Sequence, residues 1–179
     1  MDQVIKLDVT AIADYLSSLG IKAERAEKIK GVDQEQLVVP LGVDANGEDR
    51  AVVLVLQEPE LEEGEVKQPD DIRLIKFIGI MSIQVVPDAS FDMARLVSFL
   101  NHMVEFPGFI YTETMHSVNF LYGLPVVGAG VQGQQLVSVI GLIGSMIDLY
   151  QETIQQIGSG KVSFEQLLTQ GMEDEEETS

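Results

Sequence analysis

The chain has no cysteine, which excludes disulfides, thiolate metal sites and thiol nucleophiles and fits a reducing compartment. Its two histidines, His102 and His116, lack partners at ligand spacing such as H-x-x-x-H, so ordinary, partly exposed side chains are expected of both. Basic residues are scarce. Against 29 Asp and Glu stand 11 Lys and Arg, a formal charge of −18. Such a field repels phosphate backbones, so nucleic acid is not an expected partner, whereas basic proteins are attracted. Long apolar runs are missing too. The densest, Leu136 to Ile147, falls short of the roughly 20 residues a membrane span needs. The opening MDQVIKLDVTAIADYL interrupts its apolar positions with acids and does not read as a signal peptide, so a cytoplasmic location is expected. No G-x-S-x-G elbow or P-loop pattern occurs, and the acidic pairs Glu62-Glu63 and Asp70-Asp71 lack the alternating ligands and glycine of a calcium loop. The expectation is a non-enzymatic protein with no catalytic residue, metal site or cofactor.

What is present describes an architecture. A chain of 179 residues is most simply one domain, here expected over 1–160, with a short helix and an acidic, disordered tail over 161–179. Ile12, Leu16 and Leu19 recur at helical spacing within Val9–Leu19, Asp8 can cap the start and Gly20 the end. IKAERAEKIK is read as a strand. Its Lys22, Arg25, Lys28 and Lys30 form the positive cluster of the chain, either a polar sheet face or a dock for the acidic tail. EQLVVPLGV and RAVVLVLQE are β-rich and flank DANGED, whose Asn46-Gly47 signals a hairpin. Pro40 places the first of them at an edge or a bulge. The acidic run 58–71 reads as an exposed loop. IRLIKFIGIMSIQVV then reads as a long strand, interrupted near Gly79.

Met93, Leu96, Val97, Leu100 and Met103 mark a helix from about Phe91 to Met103, with Ser90 or Asp88 as its cap. After Pro107-Gly108, FIYTETM and HSVNFLYGL read as a second hairpin. The longest helix carries the stripe Leu136, Ile140, Ile143, Ile147, Tyr150, Ile154 and Ile157. Gly141 and Ser145, one turn apart on it, suggest a close backbone approach inside the core. No Asp, Glu, Lys or Arg lies between Glu113 and Asp148, so burial of much of that segment is expected. Ser163 and Gln166 form a capping-box pattern. The order is α-β-β-β-(β)-α-β-β-α, with strands grouped by hairpins. That grouping indicates an α+β domain with an antiparallel sheet and helices packed on it.

Gly128, Gly130 and Gly133 have the G-x-G-x-x-G spacing after a strand and before a helix. A dinucleotide site also needs a second, parallel strand ending in an acid about 20 residues on. Past Ile157 no strand pattern remains, so the glycines read as a flexible turn at the helix entry. Small-molecule or nucleotide binding by this turn is the alternative function.

Three stretches carry a resemblance: LVSFLNHM (96–103), whose helix ends in a Leu-Asn pattern; FPGFIYTETMHSVNFLYGLPV (106–126), a strand, turn and strand leaving through Leu-Pro; and LIGSMIDLYQETIQQI (142–157), with an aspartate and a tyrosine two residues apart. Together they resemble the YbjN-type bacterial family, with a type III secretion chaperone-like fold. The resemblance spans about Val9 to Ile157. It implies a cytoplasmic, acidic homodimer that holds a partner chain without hydrolysing ATP, with stress- or regulation-linked roles. Phe99, Leu100 and Met103 are the candidate protein-interface residues. A structural subunit of a larger complex is a further alternative.

Overall fold

The computed structural model describes residues 3–26, 34–44, 47–57, 72–104, 108–128 and 130–169. In chain order they form β1 (Val4–Lys6), α1 (Val9–Ser18), β2 (Glu24–Arg25), β3 (Gln36–Val43), β4 (Asp49–Gln57), β5 (Ile72–Gln84), α2 (Ser90–Met103), β6 (Phe109–Thr112), β7 (Ser117–Val127), β8 (Gly130–Gln132) and α3 (Gly133–Gly158). A fourth helix, α4, covers 164–169. The class is α+β. Six strands make an antiparallel sheet in the order β2-β3-β4-β5-β7-β6, and β1 pairs with β8 in a second, two-stranded sheet.

Local chemistry explains most boundaries. Asp8 accepts a hydrogen bond from the Ala11 N–H at 2.8 Å. Past the helix, Gly20 takes φ +77°, the left-handed conformation that closes helix C-termini. The β3–β4 hairpin turns with Gly47 at φ +83°, and its ladder runs from Gln36↔Val55 to Val43↔Asp49 with a bulge between Pro40 and Gly42. The second hairpin pairs β6 with β7 through a 3-10 turn at Glu113–Met115. Ser163 and Gln166 make the reciprocal capping bonds, 2.8 and 3.2 Å. The acidic run 58–71, the tail 173–179, and Lys28 and Lys30 lie outside the described residues.

Four expectations need correcting. First, β5 is not interrupted at Gly79; its register shift falls between Ile80 and Gln84. Gly79 is a glycine because α3 crosses there: a Cβ would sit 2.6 Å from Ile143 Cγ2. Second, neither Ser90 nor Asp88 caps α2, which continues from a 3-10 turn at Pro87–Ala89 without a side-chain cap. The Ser90 hydroxyl instead accepts a hydrogen bond from the Tyr111 hydroxyl at 2.9 Å. Third, Gly141 and Ser145 face outward. Nothing lies within 4 Å of a Cβ built on Gly141, and Ser145 donates back to the Gly141 carbonyl at 3.0 Å. Fourth, within IKAERAEKIK the described strand is confined to Glu24–Arg25. The charge-free segment is half covered: the inner stripe of α3 from Leu136 to Ile147 is buried, while Gln134, Gln135 and Ser138 are uncharged but exposed.

One hydrophobic core holds the inner faces together. It combines Ile12 and Leu16 of α1, Met93, Leu96 and Leu100 of α2, Ile143, Ile147 and Ile154 of α3, and Phe164 of α4, with Leu54, Phe77 and Phe120 of the sheet. Phe109 packs edge-to-face on Phe120 and Tyr150, at 5.0 and 5.6 Å between ring centroids. Arg50, only 14% exposed, reaches from β4 to Asp148 on α3. Asn101, near the end of α2, takes the place of a neighbouring strand for Phe109. Its amide donates to the Phe109 carbonyl at 2.8 Å and its oxygen accepts the Phe109 N–H at 2.7 Å.

Candidate interaction surfaces

The glycine turn is closed by the chain itself. Gly128 has φ +85°. A Cβ on Gly130 would meet the Ile5 carbonyl oxygen at 2.8 Å, and one on Gly133 would lie 2.3 Å from the Tyr15 ring. The Gly133 N–H, first of α3, donates to the Gln3 carbonyl at 2.9 Å. Gly130 and Gly133 thus admit β1 and α1 at close range, and the amide that would start an anion cradle is occupied. All strand pairings among the described residues are antiparallel, so the parallel βαβ setting of a dinucleotide fingerprint is missing there.

The titratable side chains are dispersed. His102 is exposed on α2. His116 holds φ +49° beside the 3-10 turn, and its carbonyl accepts the Val85 N–H at 2.9 Å. Lys22 pairs with Glu24 at 2.7 Å, a contact that raises its pKa. Arg25 bonds the Thr10 hydroxyl. The Ala11 N–H, followed by Lys6, holds the Asp8 carboxyl below the ordinary carboxylate value. Among the described residues no three His, Asp or Glu side chains converge on a metal position.

Two apolar surfaces remain. On α2 the three interface candidates separate: Leu100, 3% exposed, is enclosed in the core, while Phe99 and Met103 are 40% and 62% exposed. A residue the periodicity did not single out joins them, Phe91, 73% exposed. Phe91, Arg95, Phe99 and Met103 follow one another at intervals of four and so form a single ridge along the helix. Arg95 lies over the rings of Phe91 and Phe164, 5.6 and 4.7 Å from their centroids, and pairs with Glu165 at 3.1 Å. Phe99 meets Phe164 edge-on at 5.9 Å.

The second surface is the outer face of the six-stranded sheet. Registers place Val38, Val53, Ile78 and Leu121 in one row across β3, β4, β5 and β7. The adjacent row runs Pro40, Ala51, Ile80, Asn119, Ile110. None of these belongs to the main core cluster, although Val53 is buried at 8% exposure. Ile80 and Ile110 are 37% and 43% exposed. Across β5 and β7 this face carries one charge, Lys76, in a chain of net charge −18. The continuous run AVVLVL in β4, apolar in both parities, was the sequence signal that both sheet faces are apolar.

Both sheet edges are guarded. β2 pairs only with Leu37 and Val38 of β3, and the Gln36 carbonyl points toward it, accepting from Ala26. By the strand's alternation Pro40 turns its missing N–H to the same edge, where no described strand pairs with it, so it costs no ladder bond there. β6 pairs with Ser117–Phe120 of β7, and the Leu121 N–H points the same way, to Gly108. Pro125 therefore faces that side beyond the described pairing of β6. A proline on an open edge blocks strand addition.

Neither the protein-family models nor the curated proteins contain a match to this chain. Among the described residues no helix is long and apolar enough to cross a membrane. The fold and surfaces define the class: an α+β protein with helices on one face of an antiparallel sheet and apolar rows on the other.

Proposed function

We propose that this chain is a non-enzymatic protein-binding module of type III secretion chaperone-like fold, of the YbjN type, acting in the cytoplasm as a homodimer. The observation that carries the reading is the outer sheet face, where two apolar rows, nearly free of charge, lie apart from the main core cluster, Val53 buried and Ile80 and Ile110 exposed. A patch of that kind on an otherwise strongly charged protein marks an interaction site. The partner segment lays apolar side chains across the rows. Pro40 and Pro125 favour contact through side chains over strand addition at the edges, and the net charge of −18 speeds encounter with basic partners. The central run is helix, four strands, helix, three strands and helix, with β8, which pairs with β1, added to the expected order; the rest of that run supports the chaperone-like reading.

Ile80→Asp and Ile110→Asp test it, because both side chains are exposed enough for the variants to fold. Tagged wild type, both variants and a Leu149→Asp control on the outer side of α3 are used to capture protein from native-host lysate. The expected result is a stoichiometric partner held by wild type and control and lost by both sheet variants. Equal capture by all four, or none by any, would sink the reading.

A further inference from the structure

Pro40 and Pro125 guard the edges of the six-stranded sheet, but no proline stands on the small one. β1 pairs with β8 alone, in the register Val4↔Gln132, Ile5↔Val131 and Lys6↔Gly130. The Gln3 carbonyl accepts from Gly133, so Gln3 and Ile5 turn their backbone groups to β8 while Val4 and Lys6 turn theirs away. The Lys6 carbonyl agrees, taking the Asp8 N–H at 2.8 Å across the turn into α1. The Val4 N–H and C=O and the Lys6 N–H are left on an edge with which no described strand pairs. Such a row of groups is a template for another strand. The charge on this edge, Lys6, is drawn back to Asp8 at 2.9 Å.

This edge is also one wall of a groove. Residues 3–6 face Ala11, Asp14, Tyr15 and Ser18 of α1 across a depression of about 320 Å³. Spaced by three and four residues, these positions share one side of α1, apart from Ile12 and Leu16, which fill the core.

We infer that the groove takes an extended segment of a partner protein, added to β1 as a third strand and carrying basic side chains at alternate positions. One residue of the segment exchanges both backbone bonds with Val4. Its two neighbours turn toward α1, the side to which the buried Ile5 points. There Ala11 leaves room, and Asp14 has no cationic partner among the described residues. The Ser18 hydroxyl has given its proton to the Tyr15 carbonyl at 2.6 Å, so toward the groove it accepts. Two acceptors and no free cation suit an ammonium or guanidinium group. The residue opposite Val4 turns the other way, onto the exposed Val4 side chain, where an apolar group fits. Charge selects this occupant over two others. The acidic end of the chain, EDEEETS, is repelled by Asp14, and a second copy would set Asp14 against Asp14 and −18 against −18, whereas a basic segment is drawn in. No residue of the outer-face rows lines the groove, so this site is separate from the one proposed above.

The probe is an acetylated, amidated heptapeptide alternating valine with arginine, titrated into the full chain and followed by amide NMR. The expected shifts fall on Val4, Lys6 and the facing side of α1, and the Val4 and Lys6 amides exchange more slowly in the complex. The same peptide N-methylated on its valines cannot complete the ladder and should bind at least about tenfold more weakly, some 1.4 kcal/mol. Val4→Pro removes an N–H that no ladder bond uses and should cause a similar loss. Asp14→Lys should weaken binding at least about fivefold, against less than about twofold for Glu152→Lys, an equal charge change at the far end of α3. The methylated peptide and Asp14→Lys decide the matter even if Val4→Pro does not fold. No binding of the valine–arginine peptide, equal binding of its methylated form, or shifts on the outer sheet face instead would overturn the inference. So would free protein that self-associates with its Val4 and Lys6 amides already protected, because a second copy would then hold the edge. Ile80→Asp should bind the peptide as wild type does, so failure of the sheet-face reading is told apart from failure here.

Discussion

Replacing Gly79 by alanine should destabilise this protein, although a mid-strand glycine is ordinarily a weak point that alanine improves. The new methyl would lie 2.6 Å from Ile143 Cγ2, 3.0 Å from Ile147 Cδ1 and 3.2 Å from Phe120 Cβ. Optimal carbon contacts are about 3.5–4.0 Å, so the closest pair overlaps by roughly 1 Å. All three neighbours are fully buried at 0% exposure, and Cγ2 sits on the stiff β-branch of Ile143, so relief requires α3 to shift off the sheet. Overpacking of this kind costs about 1–3 kcal/mol. Urea titration gives the change in midpoint, with an unchanged slope showing that the unfolded state is unaffected. The mechanism is isolated by a cycle with Ile143→Ala, which removes Cγ2. That change alone should cost about 2–5 kcal/mol. With Gly79→Ala the pair should cost at least about 1 kcal/mol less than the sum, because the added methyl occupies the vacated space. Gly141→Ala is the counterpart on the outer side of α3. With nothing within 4 Å of its Cβ, it should stabilise by about 0.4–1 kcal/mol. A Gly79→Ala chain within about 0.5 kcal/mol of wild type, or a strictly additive cycle, would refute the packing argument.

Asn101→Ala should cost about 1–3 kcal/mol, because it strands both backbone groups of the buried Phe109; Asn101→Asp, which keeps the acceptor and loses the donor, should fall between. Thermal unfolding of the two variants decides it, and equal stability of Asn101→Ala and wild type would count against the clamp. Asp8 links α1 to pH. Its folded pKa lies below the ordinary value, chiefly through the Ala11 N–H, so its contribution is present above the unfolded carboxylate pKa and is lost as pH falls through the lowered folded value. The gap in melting temperature between wild type and Asp8→Ala should therefore close on acidification through that window. A gap constant with pH would show that the charge of Asp8 is irrelevant.

Local signals in the chain determined much of this structure by themselves. Asp8 and Gly20 bounded α1, Gly47 turned the chain between β3 and β4, and Ser163 with Gln166 opened α4, each by a short-range hydrogen bond or backbone preference that needs no distant partner. The α+β class followed from the same hairpins and stripes. Tertiary contacts decided the rest. Gly79 and Gly141 look alike in sequence, yet one lies under Ile143 and the other faces outward, and only the placement of α3 on β5 tells them apart. β1 and β8 are three residues each, too short for a periodic pattern, and exist because Gly130 and Gly133 let the start of the chain approach. The α2 surface was half legible. Met103 stood on the helix periodicity and Phe99 beside it as an interface candidate, but Leu100 belongs to the core, and Phe91 with Arg95 emerges as part of a ridge only once the inward side of α2 is known. Which face of a two-sided apolar strand or helix is covered depends on what packs against it, and that is set by contacts far apart in the chain.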